Sequence, residues 1–282
     1  LFDLKKPGYI YTRLNNPTLD VLEQRLAAME GGVAALAVAS GMAAITYTIQ
    51  CLTTVGDNIV SSSSLYGGTC NLFAHTLPRY GIEIRMCDID DLAAIEKLID
   101  KKTRAIYCET IGNPAGNIAD IPQLATLANK YGIPLIVDNT IATPFLCKPF
   151  TLGAHIVIHS LTKYIGGHGN SMGGIIIDSG KFDWLAQQDK FAQFSHPDPS
   201  YHNIVYTEEF GAAAFIGYAR LVALRNMGAA LSPHNAFLIL QGLETLALRM
   251  QRHCDNSLAV AQYLVESEKV YKGNKSNEEA QI

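Results

Sequence analysis

Residues 154–164 read AHIVIHSLTKY, a strand-length apolar run that ends in hydroxyl residues and a lysine. The glycine-rich run GGHGNSMGG follows at residues 166–174. A lysine amine attacks carbonyl groups when burial and its neighbours lower its pKa. Ser160 and Thr162 stand on alternate positions and can bind a phosphate together. A solvated surface lysine fits these surroundings poorly, so we predict a covalent aldehyde-binding site at Lys163.

Apolar runs of this kind recur along the chain and alternate with segments of helical spacing. Seven strand-length runs lie at residues 33–39, 57–61, 82–87, 104–108, 133–137, 154–158 and 174–178. They are apolar throughout, as strands covered on both faces of a sheet are, and their alternation with helices indicates βαβ units. The sequence therefore predicts an α/β fold, with a mostly parallel seven-stranded sheet and helices on both faces.

Helices are predicted where apolar residues recur at helical spacing behind a cap or a proline. The segments are 17–30, 91–101, 120–131, 210–226 and 232–268. The last of these contains one or two long helices.

Composition excludes several classes of partner. The chain of 282 residues has a net charge of −4, which gives no reason to expect nucleic acid or an anionic membrane as a partner. No apolar run approaches the roughly 18 residues of a membrane-spanning helix, and the first residues do not read as a signal peptide. The six cysteines form no C-x-x-C pair, so we expect buried free thiols in a cytoplasmic protein.

Polar residues end four of the predicted strands. They are Ser61, Glu109, Asp138 and His159-Ser160, and ligands of open α/β sheets bind at this carboxyl edge. Each residue taken alone also fits a helix cap or a turn. Asp138 is costly to bury without a partner, and a protonated ring nitrogen is one partner that such a carboxylate holds charged.

Two glycine-containing motifs complete the candidate site. Ser40-Gly41-Met42 stands between a strand and a helix, where glycine permits close approach and the helix N-terminus favours an anion. An ordinary strand-to-helix turn has the same pattern. Tyr66 begins a helical run beside Gly67-Gly68, and its ring either stacks on a planar ligand or packs at a boundary.

Several short motifs gain meaning when they are taken together. They are Tyr11-Thr12-Arg13, Ser40-Gly41-Met42, Leu65-Tyr66-Gly67, Glu109-Thr110 with Asn113-Pro114, Val137-Asp138-Asn139-Thr140, and Ser160-Leu161-Thr162-Lys163-Tyr164 with Gly166-Gly167-His168. In these motifs residues 9–268 resemble the Cys/Met-metabolism family of pyridoxal-phosphate enzymes, of fold type I. The resemblance implies pyridoxal 5′-phosphate as the cofactor and the fold of that family.

The resemblance also implies roles for individual residues. Lys163 corresponds to the Schiff-base lysine, which acts as general base and acid. Asp138 corresponds to the partner of the pyridine nitrogen. Tyr66 corresponds to the ring that stacks on the cofactor and assists proton transfer, and Asn113 to the contact of its phenolic oxygen.

Further implied roles concern the cofactor phosphate. Its binders correspond to Gly41, Met42, Ser160 and Thr162. Tyr11 and Arg13 correspond to a pair that reaches the phosphate of a neighbouring subunit. This pair implies a homo-oligomer, by family habit a dimer of dimers.

Within the family, residues 201–206, 228–233 and 240–245 resemble the O-acetylhomoserine sulfhydrylase (homocysteine synthase) branch. This branch implies γ-replacement, in which O-acetyl-L-homoserine and sulfide give L-homocysteine and acetate in methionine and cysteine biosynthesis. Methionine γ-lyases usually carry a cysteine where this chain has Gly68. A methionine γ-lyase, or γ-elimination or replacement of the cystathionine γ-synthase or γ-lyase type, stays open as an alternative.

The resemblance suggests a division of the chain. Residues 1–15 are predicted to form an arm to a neighbouring subunit, 16–228 a large cofactor-binding domain and 229–282 the start of a smaller C-terminal α/β domain. The family usually continues further, with a serine and an arginine for the substrate carboxylate that have no counterpart here. We therefore expect a truncated chain, and a cofactor-binding but inactive homologue stays open as a second alternative.

Overall fold

The computed structural model describes residues 8–267. The strands of this part of the chain are β1 (Ala34–Val38), β2 (Asn58–Ser62), β3 (Glu83–Cys87), β4 (Thr103–Glu109), β5 (Leu135–Asp138), β6 (Ile156–Ser160) and β7 (Gly174–Asp178). They form one sheet in the order β1-β7-β6-β5-β4-β2-β3. β7 runs antiparallel to both of its neighbours, and the other pairings are parallel. The predicted mostly parallel, seven-stranded sheet is confirmed.

The helices lie between and after these strands. The α-helices are α1 (Pro17–Glu30), α2 (Gly41–Leu52), α3 (Gly67–Asn71), α4 (Leu92–Leu98), α5 (Ile121–Lys130), α6 (Thr143–Leu146), α7 (Ala192–Ser195), α8 (Tyr206–Phe210), α9 (Ala214–Tyr218), α10 (Arg225–Met227), α11 (Pro233–Leu243) and α12 (Leu246–Glu266). The π-helical and 3-10 segments are Leu72–Thr76, Leu77–Tyr80, Pro149–Leu152, Gly211–Ala213 and Ala219–Leu224. The helix predicted over 210–226 is thus interrupted by a π-helical segment, and the one over 232–268 is two helices.

The helix starts follow from their capping residues. The Asn16 side chain accepts a hydrogen bond from the Thr18 N–H at 3.0 Å, and α1 ends at Gly31, where φ is 82°. The Ser40 side chain accepts from the Ala43 N–H at 3.1 Å and so begins α2. Such caps satisfy N–H groups that have no partner inside the helix, and they fix where each helix begins relative to the preceding strand.

Apolar cores lie on both faces of the sheet. Alternate residues of β5 supply opposite faces: Val137 belongs to the core that includes residues of α1, α5 and α11, while Ile136 belongs to the core that includes residues of α2 and α9. An aromatic group around Trp184 and Phe215, which stack at 5.7 Å, belongs to the second core. Full burial of a large apolar side chain contributes about 1.5–3 kcal/mol to the free energy of unfolding. The two cores hold the central strands rigidly and therefore fix the residues at their ends.

The region after residue 228 continues the first core. Ile239 and Leu243 of α11 are buried against α1, and the Ala39 N–H donates to the Ala229 carbonyl at 2.8 Å. The division into domains at residues 228 and 229 stays a prediction. The predicted polar end at 272–282 and the first seven residues of the predicted arm lie outside the described residues.

Two sequence-based expectations can be compared with residues 8–267. In this part of the chain no helix has both the length and the apolarity needed to cross a membrane. All six cysteines are free thiols, as predicted. The expected burial holds for Cys51 and Cys108, whereas the other four are half-buried.

Candidate cofactor site

A cavity of about 680 Å3 opens at the carboxyl edge of the sheet. The parallel strands β4 and β5 set Glu109 opposite Asp138, and β5 pairs with β6 so that Asp138 lies opposite Ile158. The last residues of three neighbouring strands therefore meet. Glu109, Asp138 and Ser160 line the cavity together, which is where the strand-end pattern predicted a ligand site.

The structure brings most of the predicted site residues into this one cavity. Those that line it are Gly41, Met42, Tyr66, Asn113, Asp138, Ser160, Thr162 and Lys163. Tyr11 and Arg13 lie elsewhere: the Arg13 guanidinium is 5.3 Å from the centre of the Tyr11 ring and donates to the Arg225 carbonyl. The proposed reach of this pair to another subunit stays a prediction.

Asp138 is held rigidly and keeps only a partly exposed edge. Its Oδ1 accepts hydrogen bonds from the Thr140 N–H at 3.0 Å and the Thr140 hydroxyl at 2.5 Å, and the Tyr107 hydroxyl donates to Oδ2 at 3.4 Å. Burial raises the pKa of Asp138 above its usual value, and the bonds from Thr140 oppose that rise. Among residues 8–267, no lysine, arginine or histidine forms an ion pair with this carboxyl group.

Tyr66 is hydrogen-bonded to Glu109, which lies beside Asp138 at the end of the neighbouring strand. The Tyr66 N–H donates to Glu109 Oε1 at 2.7 Å, while the Tyr66 side chain is 48% exposed at the cavity. Burial, with the nearby Asp138 carboxyl group, raises the pKa of Glu109 to about 8; the N–H groups of Tyr66 and Asn113 oppose the rise. The backbone of Tyr66 is thus fixed, and its ring presents a free face.

The N-terminus of α2 forms the other end of the cavity. Ser40 caps the Ala43 N–H, which leaves the N–H groups of Gly41 and Met42 without a partner inside the helix. A Cβ atom at Gly41 would lie 2.7 Å from the Ser160 Cβ, so only glycine lets the helix approach β6 this closely. Helix N–H groups and neighbouring hydroxyls are the donors that phosphate groups prefer.

Lys163 lies in the turn after β6. Its N–H donates to the Ser160 carbonyl at 3.2 Å, and its own carbonyl accepts from the Gly167 N–H at 2.8 Å. The side chain lines the cavity but is exposed. The apolar neighbours in the sequence argued against a solvated lysine, but the side chain is exposed because the turn carries it to the rim of the open cavity.

Some cavity residues carried little signal in the sequence. Thr140 belongs to one of the family motifs, but the motif did not indicate that it holds Asp138. The one local signal is its position two residues after the carboxylate, where a side chain and a backbone N–H commonly form hydrogen bonds. Thr140 also accepts from the Ser160 N–H at 2.8 Å and joins β5 to β6. His253 of α12 contacts the Tyr164 ring at 5.1 Å and lines the same cavity. No local pattern predicts that contact, since it depends on how α12 packs.

These residues fit pyridoxal phosphate. The partly buried Asp138 carboxylate without a cationic side chain suits a protonated ring nitrogen, and the exposed Tyr66 ring suits a flat face. The α2 N-terminus with Ser160 and Thr162 suits a phosphate group, and an exposed Lys163 amine is available to an aldehyde.

Comparison with known proteins agrees with this fit. The sequence profile of the Cys/Met metabolism PLP-dependent enzymes matches residues 2–278. The chain belongs to this family. The homocysteine/cysteine synthase of Kluyveromyces lactis is 55% identical over 268 residues, and the O-acetyl-L-homoserine sulfhydrylase of Leptospira meyeri is 50% identical over 278 residues. These matches cover 95% and 96% of this chain, and 60% and 62% of the relatives.

A solved structure shares the fold. It is a putative O-acetylhomoserine (thiol)-lyase of Campylobacter jejuni that carries a pyridoxyl-lysine phosphate group. The TM-score is 0.92 at 46% identity, covering 95% of this chain and 66% of that one. The fold predicted from the family resemblance is thus confirmed. This chain spans about 60% of the length of the curated relatives it matches.

Proposed function

We propose that this chain binds pyridoxal phosphate at Lys163 and serves γ-replacement on O-acetyl-L-homoserine, with sulfide as the incoming nucleophile. The observation that carries the proposal is one cavity lined by Lys163, Asp138 and Tyr66 together. This cavity therefore offers an amine from Lys163, a carboxylate partner for a ring nitrogen from Asp138 and an aromatic ring for stacking from Tyr66. The kinship with sulfhydrylases supports the choice of substrate.

Asp138 has the task of keeping a ring nitrogen protonated. A cation beside a buried carboxyl group favours the ionised form of that group, so the two groups stabilise each other's charge. When bound, the cofactor supplies an electron sink for negative charge that develops on the substrate. Thr140 and Tyr107 fix the direction of the Asp138 carboxylate by their hydrogen bonds.

The phosphate end positions the ligand. The N–H groups of Gly41 and Met42, with the hydroxyls of Ser160 and Thr162, are the donors proposed for it. The positive end of the α2 dipole adds to their attraction for an anion. Asn113 is proposed to contact the phenolic oxygen, and Tyr66 to cover one face of the ring.

Lys163 would hold the aldehyde end of the cofactor through its amine until the amino group of the substrate takes that place. Its freed amine then removes the α-proton of the substrate and returns a proton later, as general base and acid. Tyr66 assists this transfer. In the overall reaction the bond between the γ-carbon and the acetate oxygen breaks, and acetate leaves with the bonding electrons. Hydrosulfide forms the new C–S bond with an electron pair of its sulfur, and the product thiol keeps the hydrosulfide proton.

The proposal extends to the assembly and its setting. Tyr11 and Arg13 are proposed to reach the phosphate of a neighbouring subunit, so the active form is a homo-oligomer, a dimer of dimers. The six free thiols suit a reducing compartment, and we infer a cytoplasmic setting.

An assay of the purified chain with pyridoxal phosphate tests the activity. Homocysteine formed from O-acetyl-L-homoserine and sulfide, and absent for Lys163→Ala, supports the proposal. Formation of 2-oxobutanoate and methanethiol from methionine, without homocysteine from the acetylated substrate, identifies a γ-lyase instead. A chain that binds the cofactor and forms neither product is inactive by itself, which contradicts the proposal.

A further inference from the structure

Arg249 of α12 reaches the backbone that follows Lys163. Its Nη1 donates to the Tyr164 carbonyl at 2.5 Å, and its Nη2 donates to the Ile165 carbonyl at 3.2 Å and to the Gly242 carbonyl at 2.7 Å. One guanidinium thus joins the end of the lysine turn to the end of α11.

The remaining donor group of Arg249, its Nε, is also hydrogen-bonded, and the side chain is half-buried. Nε donates to the Thr245 hydroxyl at 3.1 Å. Among the described residues, Arg249 forms no ion pair with a carboxylate, and its half-buried position lowers its pKa below the usual arginine value. Hydrogen bonds from a charged donor are stronger than those between neutral groups, so the carbonyl groups hold this side chain well.

Two glycines make the close approach possible. A Cβ atom at Gly167 would lie 2.2 Å from Arg249 Nη1, and Gly167 has a φ of +73°. A Cβ atom at Gly242 would lie 2.0 Å from the Gly166 carbonyl oxygen. Gly242, which lies in the run 240–245 that resembles the sulfhydrylase branch, therefore packs directly on the lysine turn.

The turn itself is a closed unit. The Gly166 N–H donates to the Leu161 carbonyl at 2.9 Å, and the Gly167 N–H donates to the Lys163 carbonyl at 2.8 Å. The Lys163 side chain is exposed, and a lysine amine stands on a flexible aliphatic stem. The region that this amine can reach is therefore set by the position of the turn backbone. A contact that fixes residues 164 and 165 fixes the lysine as well.

We propose that Arg249 is a positioning residue that clamps the turn carrying Lys163 and so sets where its amine meets the cofactor aldehyde. The inference rests on the proposed function, because it takes Lys163 as the cofactor lysine. It concerns mainly the aldehyde end of the ligand: the phosphate donors Gly41 and Met42 on α2 and Ser160 on β6 lie outside the clamped turn, and only Thr162 lies within it. Loss of the clamp should therefore weaken binding that uses the lysine more than binding that uses the phosphate alone.

The test compares Arg249→Met with Arg252→Met, an exposed arginine on the same helix. Two ligands are titrated by absorbance: pyridoxal 5′-phosphate, which has the aldehyde, and pyridoxamine 5′-phosphate, which lacks it. Arg249→Met is expected to bind the aldehyde form about tenfold more weakly, the equivalent of about one hydrogen bond, and to lose much less affinity for the amine form, since only Thr162 of the proposed phosphate donors lies in the clamped turn. Arg249→Lys, with a point charge in place of the fork, is expected to lie between.

A readout without any ligand accompanies the titration. Amide hydrogen exchange of residues 161–174 is expected to be about tenfold faster in Arg249→Met than in Arg252→Met, with β2 as the internal reference. Equal exchange and equal affinity in both variants overturn the inference, as does an equal loss for both ligands. If Arg249→Met does not fold, Arg249→Lys is judged by the same criteria. An unchanged chain that binds neither ligand contradicts the proposed function, while the exchange comparison still decides the clamp.

Discussion

The Tyr66 N–H donates a hydrogen bond to Glu109 Oε1 at 2.7 Å and thereby joins the cavity tyrosine to the end of a central strand. The Glu109 carboxyl group is buried and lies near the Asp138 carboxyl group. Its burial and the negative charge of Asp138 together raise the pKa of Glu109 to about 8. The folded chain therefore keeps a proton on Glu109 that the unfolded chain releases near pH 4.5.

A pH dependence of stability follows for the chain without cofactor. Between pH 4.5 and about 8 the folded state binds more protons than the unfolded state, so the free energy of unfolding falls as the pH rises through this window. Glu109→Gln cannot ionise, and its amide oxygen still accepts from Tyr66. Between pH 5 and pH 8 we expect the free energy of unfolding of Glu109→Gln to fall by roughly 2 kcal/mol less than that of the unchanged chain. Urea unfolding measures this; a slope equal to that of the exposed-site control Glu208→Gln speaks against the buried carboxyl.

Glu30 and His159 form a fully buried pair behind the cofactor cavity. Glu30 Oε1 lies 2.6 Å from His159 Nε2 and also accepts from the Asn139 side chain at 2.9 Å. Glu30→Ala leaves two buried polar groups without this partner, and we expect a loss of about 2–4 kcal/mol in the free energy of unfolding. Glu30→Gln keeps an acceptor and should lose less. Equal stability of Glu30→Ala and the unchanged chain is incompatible with this pairing.

The close approach of α2 to β6 is expected to matter for the phosphate. Gly41→Ala places a Cβ atom 2.7 Å from the Ser160 Cβ, which forces the helix end or the strand to move. Overpacking of this kind costs about 1–3 kcal/mol, so we expect about tenfold weaker binding of pyridoxamine 5′-phosphate. Gly67→Ala is the matched control, because nothing lies within 4 Å of its Cβ position. Similar affinities of the two variants would rule out α2 as the phosphate end.

Much of the fold could be predicted because it depends on local pattern. Most of the apolar runs correspond to strands buried on both faces, whereas the edge strand β3 is only half-buried. Asp138 and Ser160 end two of the buried strands at the carboxyl edge. Parallel pairing then brings these ends together without further information. The family motifs added the proposed roles of Lys163 and Tyr66, which spacing alone left open.

The remaining features depend on contacts between distant segments. Arg249 meets the Tyr164 carbonyl, and Glu30 meets His159, through the packing of α12 and α1. A half-buried arginine and a buried glutamate have no periodic signature in the sequence. The exposure of Lys163 was also missed, because apolar neighbours along the chain do not determine whether a turn lies at a rim.

The most direct test of the central claim is to map the lysine that binds the cofactor. The chain is incubated with pyridoxal 5′-phosphate, reduced with borohydride, digested and examined by mass spectrometry, with Lys163→Ala treated in parallel. We predict one pyridoxyl-phosphate group on the peptide that contains Lys163, and no such group at a comparable level in Lys163→Ala. A label on another lysine, or equal labelling of the two proteins, would contradict the assignment of this cavity as the cofactor site.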